Sequence, residues 1–253
     1  MSQKNNWTRE ELIVVFNLYC KIPFSKINEK YKPVIELASL IGRSPGAVSF
    51  KLANFASLDP VLKQRNISGL KNGSKGEKEI WKEFHADWER LSYESELQLA
   101  RYKQEPITQT TSIRIDDLPQ GGDRETIIKA RVNQQFFRHA VLTSYETKCC
   151  ITGITQTELL IASHIIPWSI DKGNRTNPCN GICLNALHDK AFDKGLITIT
   201  PDFEIKISGK LLESSSGTAI FFQSYKNQKI SLPKRFLPDR DFLHYHLTNI
   251  YKG

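Results

Sequence analysis

The sequence predicts an α+β protein. It reads as a three-helix, helix-turn-helix-like module at residues 1–68, a connecting helix and linker at 69–123, and a C-terminal domain at 124–253 where strands and helices mix. Three observations carry this reading. Apolar residues recur at helical spacing in three short stretches of the first sixty residues, separated by Pro and Gly. Ile80, Trp81, Phe84, Trp88, Leu91 and Leu97 then form one stripe among many charges, the pattern of a single long helix over Glu77 to Gln104. Beyond residue 124 the pattern changes: an apolar, β-branched stretch ends at Pro167, and a short helical stretch follows from Leu184 to Asp193.

The first helix opens at Thr8, with Glu11 three residues on as a capping box, and buries Leu12, Val15, Phe16 and Tyr19 before Pro23 stops it. A second begins after Pro33, carries Ile35, Leu37, Ala38, Leu40 and Ile41, and ends at Gly42. Ser44 and Pro45 restart a third as N-cap and first helical residue, running through Phe50, Leu52 and Phe55. Helix, glycine turn and helix suit DNA recognition, with Arg43, Ser44, Ser49 and Lys51 as contacts. They also suit a three-helix bundle used for protein contacts. The Trp-Thr-x-Glu-Glu opening and Gly-Arg-Ser turn resemble Myb-like domains.

Gly69 to Gly76 reads as a loop, and Pro106 to Asp123 as a linker. Arg124 to Tyr145 returns to helix. Ile127, Ile128, Val132, Phe136, Phe137, Ala140 and Val141 supply its apolar face. Arg131, Gln135 and Arg138 share another side, where they suit phosphate contact or a solvated face equally well. Leu196–Thr200 and Phe203–Ile207 alternate like two strands joined at Pro201-Asp202, and Asp239–Tyr251 closes the chain as a helix.

Thirty-five basic against twenty-seven acidic side chains give +8, a modest excess favouring an anionic partner. No apolar run approaches the roughly 18 residues of a spanning helix, and Met1 to Asn6 leads into a charged segment instead of a signal-peptide core. A cytosolic location without membrane attachment is expected. The five cysteines argue against a disulfide framework there. Cys149 and Cys150 are adjacent, and three residues separate Cys179 from Cys183, a poor match to a zinc knuckle. Structural zinc is not expected.

The candidate chemistry lies in His164, Asn180 and His188. Cleaving a phosphodiester takes an activated water, charge stabilisation at phosphorus and help for the departing 3′ oxygen. A neutral histidine can take the water's proton near pH 7, while a bound divalent ion stabilises the rest. Base and ligand must be different histidines. His164 at a strand end and His188 on a helix supply both, and Asn180 before Gly181 is a turn residue that can fix the loop or reach the metal.

Lys148–Gly153, Ala162–Trp168 and Asn180–Leu196 together resemble the HNH endonuclease superfamily, nearest to the branch found in bacterial and phage restriction-type enzymes. Arg131, Gln135, Phe137 and Arg138 resemble the helix that leads into that branch's core. The resemblance implies a ββα-metal nuclease fold acting on double-stranded DNA with one Mg²⁺ or Mn²⁺. By it His164 is the general base, Asn180 orients the loop or base, and His188 is a metal ligand. Many relatives carry Asp or His before the base, where this chain has Ser163, a weaker donor for a hard cation. The shell is then completed by Ser163, directly or through water, by Asn180, or by Asp193 or Asp189. A restriction or defence role, with modified DNA as one target, follows by analogy alone. One site cuts one strand, so a homodimer would supply the second cut. The rival readings are a helix-turn-helix regulator with an inactive nuclease-like domain, and a zinc-stabilised interaction protein.

Overall fold

In the computed structural model, residues 6–64, 75–114, 123–213 and 217–253 are described. The chain forms two compact units, Met1–Thr143 and Ser144–Gly253.

Thr8 opens α1 (Arg9–Lys21) with both halves of the capping box: its hydroxyl accepts from the Glu11 N–H at 3.2 Å, and its own N–H donates to the Glu11 carboxylate at 2.9 Å. Leu12, Val15, Phe16 and Tyr19 are buried. Gly42, at φ +68°, ends α2 (Lys32–Ile41), and Ser44 caps α3 (Pro45–Leu58) by accepting from the Ala47 N–H. In α2 the stripe turned inward is Val34, Leu37, Ala38 and Ile41, spaced three, one and three apart, which leaves Ile35 exposed; on α3 Phe50 is exposed as well. A short α4 (Pro60–Gln64) follows.

The expected single helix from Glu77 to Gln104 is two, α5 (Lys75–Phe84) and α6 (Trp88–Lys103). Asp87 breaks it by accepting from the Arg90 N–H as an N-cap, so that Phe84 and Trp88 can both be buried. Both helices pack on α1, so this stretch is part of the first unit's core and not a free connector. Phe16 anchors that core, with its ring 4.7 Å from Phe55, 5.3 Å from Trp81 and 6.0 Å from Trp88. The glycine-rich loop at 69–76 lies outside the described residues up to 74, and Lys75 and Gly76 already belong to α5. Of the expected linker, Ile107–Thr110 form a helical turn, α7, and 115–122 lie outside the described residues. The helix expected to open the C-terminal domain is α8 (Arg124–Ser144), and all of it except Ser144 falls in the first unit.

In the second unit β1 (Leu160–His164) pairs antiparallel with β2 (Gly181–Asn185), in a register that sets Ser163 opposite Ile182 and His164 opposite Gly181. Helix α9 (Ala186–Asp193) follows β2 directly and packs on both strands. The expected strand pair is present as β3 (Ile197–Ile199) and β4 (Ile205–Ile207). Next come α10 (Gly209–Leu212), α11 (Gly217–Gln223) and α12 (Arg240–Asn249). Gly195 makes the turn from α9 to β3 at φ +69°, and a Cβ there would lie 2.0 Å from the Ile250 carbonyl oxygen. Its own carbonyl accepts from the Lys252 N–H at 2.8 Å, which ties the C-terminus to the end of α9.

His246 fastens α12 on the same side. It stacks on Phe192 with ring centroids 3.6 Å apart, pairs its Nδ1 with the Thr198 hydroxyl at 2.8 Å and its Nε2 with the Phe192 carbonyl at 3.2 Å. The carbonyl can only accept, so Nε2 carries the proton and Nδ1 accepts from Thr198. Burial lowers the His246 pKa to about 4. Its role is to hold α9 in place.

Candidate active site

His164 is the last residue of β1, where the strand gives way to the loop 165–180. Its Nε2 lies 2.9 Å from the Arg175 carbonyl oxygen. A carbonyl only accepts, so Nε2 holds the proton and the neutral ring carries its lone pair on Nδ1. Burial lowers the His164 pKa, helped by the Arg175 guanidinium and opposed by its hydrogen bond to the Arg175 carbonyl and by the Asp193 carboxylate. The ring is therefore neutral near pH 7, as a general base must be. Trp168 meets it edge-on, with centroids 5.5 Å apart.

Asn180 is fully buried, and its amide is occupied at both ends. Oδ1 accepts from the Ile166 N–H at 2.8 Å, and Nδ2 donates to the carbonyls of Ile166 and Asn174 at 3.1 and 3.2 Å. Its backbone carbonyl accepts from the Ile165 N–H as well. Asn180 thus clamps the chain on the far side of His164 to the residue before Arg175, whose carbonyl in turn holds His164. In this geometry the amide is committed to the loop and not offered to a cation. The loop is stiffened further by Asp171, which accepts from the N–H groups of Gly173 and Asn174 and from the Asn174 amide, and by Asn177, which donates to Asn174.

His188 lies in the first turn of α9. Asn185, the N-cap, turns its Oδ1 to the N–H groups of Leu187 and His188 at 3.1 and 3.0 Å and to His188 Nδ1 at 3.1 Å. Because that oxygen already accepts two backbone N–H bonds, Nδ1 is the protonated nitrogen and the His188 lone pair sits on Nε2. Among the described residues, His188 Nε2 is buried without a hydrogen-bond partner. The rings of Phe221, Phe222 and Tyr225 border it at 5.2–5.4 Å between centroids, and burial lowers its pKa to about 4.

Ser163 is buried, and its hydroxyl makes no well-formed hydrogen bond, although it lies near enough to the Asp189 carboxyl to favour that group's charged form. Burial raises the Asp189 pKa, and the Asp193 carboxylate adds to this. Asp189 and Asp193, one turn apart, share a face of α9 that differs from the face of His188 and Phe192. Of the expected metal ligands, Ser163 thus associates with Asp189, Asp193 is exposed and acts electrostatically on His164, Asn180 serves the loop, and His188 stands among aromatic rings. Among the described residues no three His, Cys, Asp or Glu side chains form a metal cage. What is left for a Mg²⁺-type ion is a sparse donor set. Such an ion keeps most of its waters and needs only one or two protein ligands beside phosphate oxygens, and two buried donors here, His188 Nε2 and Ser163 Oγ, stand without good partners.

This geometry agrees with a family resemblance of the same residues. Residues 149–200 match the HNH endonuclease family model. The HNH segment spans β1, β2, α9 and β3, and the match supports the HNH superfamily and a nuclease for this part of the chain. No curated protein matches the chain.

Within the HNH segment, Cys149, Cys150 and Cys183 are buried thiols that form no disulfide among the described residues, and burial raises the Cys150 pKa well above its ordinary value. In the first unit, Arg43 donates to the buried Glu11 carboxylate at 3.0 and 2.8 Å and lies 4.7 Å over the Trp7 ring. Lys51 pairs with the buried Glu77 at 2.8 Å. Ser44 serves as the α3 cap, and Ser49 is half-buried. On α8 Arg131 is exposed and bonds Gln134, Arg138 is half-buried, and Gln135 lines a cavity of about 380 Å³ with Lys21 and Glu96. No described helix is long and apolar enough to cross a membrane.

Sequence reasoning passed over Asn185, Trp168, Arg175 and the aromatic residues of α11. Asn185 carried a readable signal, an N-cap residue before Ala-Leu-His-Asp. Arg175 carried none, because its position depends on the loop's hydrogen bonds and not on periodicity.

Proposed function

We propose that the protein is a metal-dependent DNA endonuclease that hydrolyses phosphodiester bonds at the HNH segment. The observation that carries this is the pair of fixed tautomers. Each histidine is held by a hydrogen bond at one ring nitrogen, which leaves the lone pair on the other: Nδ1 in His164, Nε2 in His188. One residue suits proton removal and the other metal ligation.

In this reading His164 Nδ1 takes the proton of the attacking water as its oxygen bonds to phosphorus. The bond to the 3′ oxygen breaks, giving a 5′ phosphate and a 3′ hydroxyl. His188 Nε2 would be the nitrogen ligand, with Ser163 as an oxygen donor directly or through water. A bound divalent ion, Mg²⁺ or Mn²⁺, supplies charge stabilisation for the phosphate and the departing oxygen. Asn180 holds the loop that aligns the base. The N-terminal helical unit grips duplex DNA in this proposal, through α3 and the Arg131 and Arg138 side of α8, with Arg43 and Lys51 supporting α3 through their internal ion pairs. Restriction or defence in the cytosol, by a homodimer when both strands are cut, is the role the resemblance suggests.

The test is incubation of the purified protein with supercoiled plasmid, modified or unmodified, with Mg²⁺, Mn²⁺ or EDTA. Nicked or linear products with metal and none with EDTA are expected. Cleavage unaffected by EDTA would overturn the metal dependence, and absence of cleavage on every plasmid would overturn the nuclease reading.

A further inference from the structure

We propose that Arg175 grips the phosphate being cleaved. This rests on the nuclease reading above and adds to it a substrate-contacting residue outside the His-Asn-His set. The backbone of Arg175 already serves the site, since its carbonyl accepts from His164 Nε2. Its side chain is fixed separately: Nε donates to the Trp168 carbonyl at 2.7 Å, and the guanidinium carbon lies 5.0 Å over the Trp168 ring, the same ring that meets His164 edge-on. Trp168 therefore seats the guanidinium and the imidazole side by side.

The anchoring uses Nε alone. Among the described residues, no acceptor bonds the two terminal amino groups of Arg175, and no carboxylate lies within ion-pair distance, while the equally half-buried Arg9 engages two glutamates. A half-buried guanidinium without a counter-ion has lost part of its hydration and gained no anion in return. It is pinned where its remaining donors form a fork, the shape that matches two oxygens of one phosphate. The guanidinium is also close enough to His164 to disfavour the protonated ring. The charge that helps keep the base neutral is thus placed to meet the charge growing on the phosphate oxygens as water attacks. The exposed Lys190 of the neighbouring α9 and Lys194 at its C-cap are not fixed in this way.

The experiment uses the full chain with Arg175→Ala and Arg175→Lys, folding being checked by circular dichroism. Single-turnover cleavage of a labelled duplex is measured with Mg²⁺, and duplex affinity over a salt series in a His164→Ala background. Loss of one preorganised charge donor predicts a fall of roughly 10²–10³-fold for Arg175→Ala. Lysine, which keeps the charge but lacks the fork, should recover part of it, and added guanidinium ion should partly rescue the alanine variant. A purely structural role would give neither rescue. The salt slope of binding should drop by about one for Arg175→Ala. If Arg175→Ala cleaves within about threefold of the parent while His164→Ala is inactive, the proposal is overturned and the nuclease reading stands. If the parent itself cleaves nothing, both fall.

Discussion

Replacing Asn180 by alanine removes three side-chain hydrogen bonds from a residue with no solvent exposure: one accepted from the Ile166 N–H and two donated to the carbonyls of Ile166 and Asn174. At about 1 kcal/mol net for each bond, and with the Ile166 N–H left buried and unpaired, the expected loss is about 3–5 kcal/mol. That loss should be local, because the bonds join the end of β1 to the loop before Arg175. Amide hydrogen exchange at Ile166 reads it directly. Every 1.4 kcal/mol is a factor of ten, so exchange should accelerate by at least roughly a hundredfold. Asn180→Asp keeps the acceptor for Ile166 but turns a carboxylate oxygen toward two carbonyls, so it should lose as much despite its matching shape. The reasoning is refuted if Asn180→Ala leaves Ile166 exchange unchanged and the urea midpoint within 1 kcal/mol of the parent.

Gly195→Ala forces a Cβ to within 2.0 Å of the Ile250 carbonyl at a positive φ, so the C-terminal segment must shift; a loss of at least about 2 kcal/mol in urea unfolding is expected, and an unchanged midpoint would count against the close approach. Acid should weaken the second unit through His246. Above pH 6.5 it is neutral both folded and unfolded. As pH falls from 6.5 toward the folded value of about 4 the unfolded chain binds the proton first, and roughly 3 kcal/mol is lost across that window. His188 acts in the same direction. Urea midpoints measured over this range should fall steadily, and a flat profile would contradict the burial of these rings. Arg43→Ala takes the guanidinium, whose side chain is only 8% exposed, from the buried Glu11 carboxylate and should destabilise the first unit by about 3–5 kcal/mol; a loss below 1 kcal/mol would show that Arg43 is dispensable for folding.

The local rules of helix starts and stops made much of the fold readable. Thr8 with Glu11, Gly42, and Ser44 with Pro45 all act through backbone groups within a few residues, and the structure uses each as expected. The same holds for β3 and β4, of which β4 alternates buried and half-buried residues while β3 is buried throughout. The break at Asp87 was less legible, because the apolar stripe continues through it and only the capping bond distinguishes two helices from one. Arg43 and Lys51 expose another limit. Their charge on a turn and helix suggested an outward role, but Glu11 and Glu77 are distant in sequence and meet them only in the packed unit. In the site, His164 and His188 stood out by motif and local setting, whereas the tautomers depend on Arg175 and Asn185. The enclosure of His188 by Phe221, Phe222 and Tyr225 is a tertiary fact with no periodic trace.

The central claim is that His164 takes the proton from the attacking water. It is tested most directly by the single-turnover rate of duplex cleavage with Mg²⁺ for the parent and for His164→Ala, with Ile166 amide protection confirming that the loop is intact. The account predicts a fall of roughly 10²–10⁴-fold in the variant. Equal rates in the two proteins would contradict it.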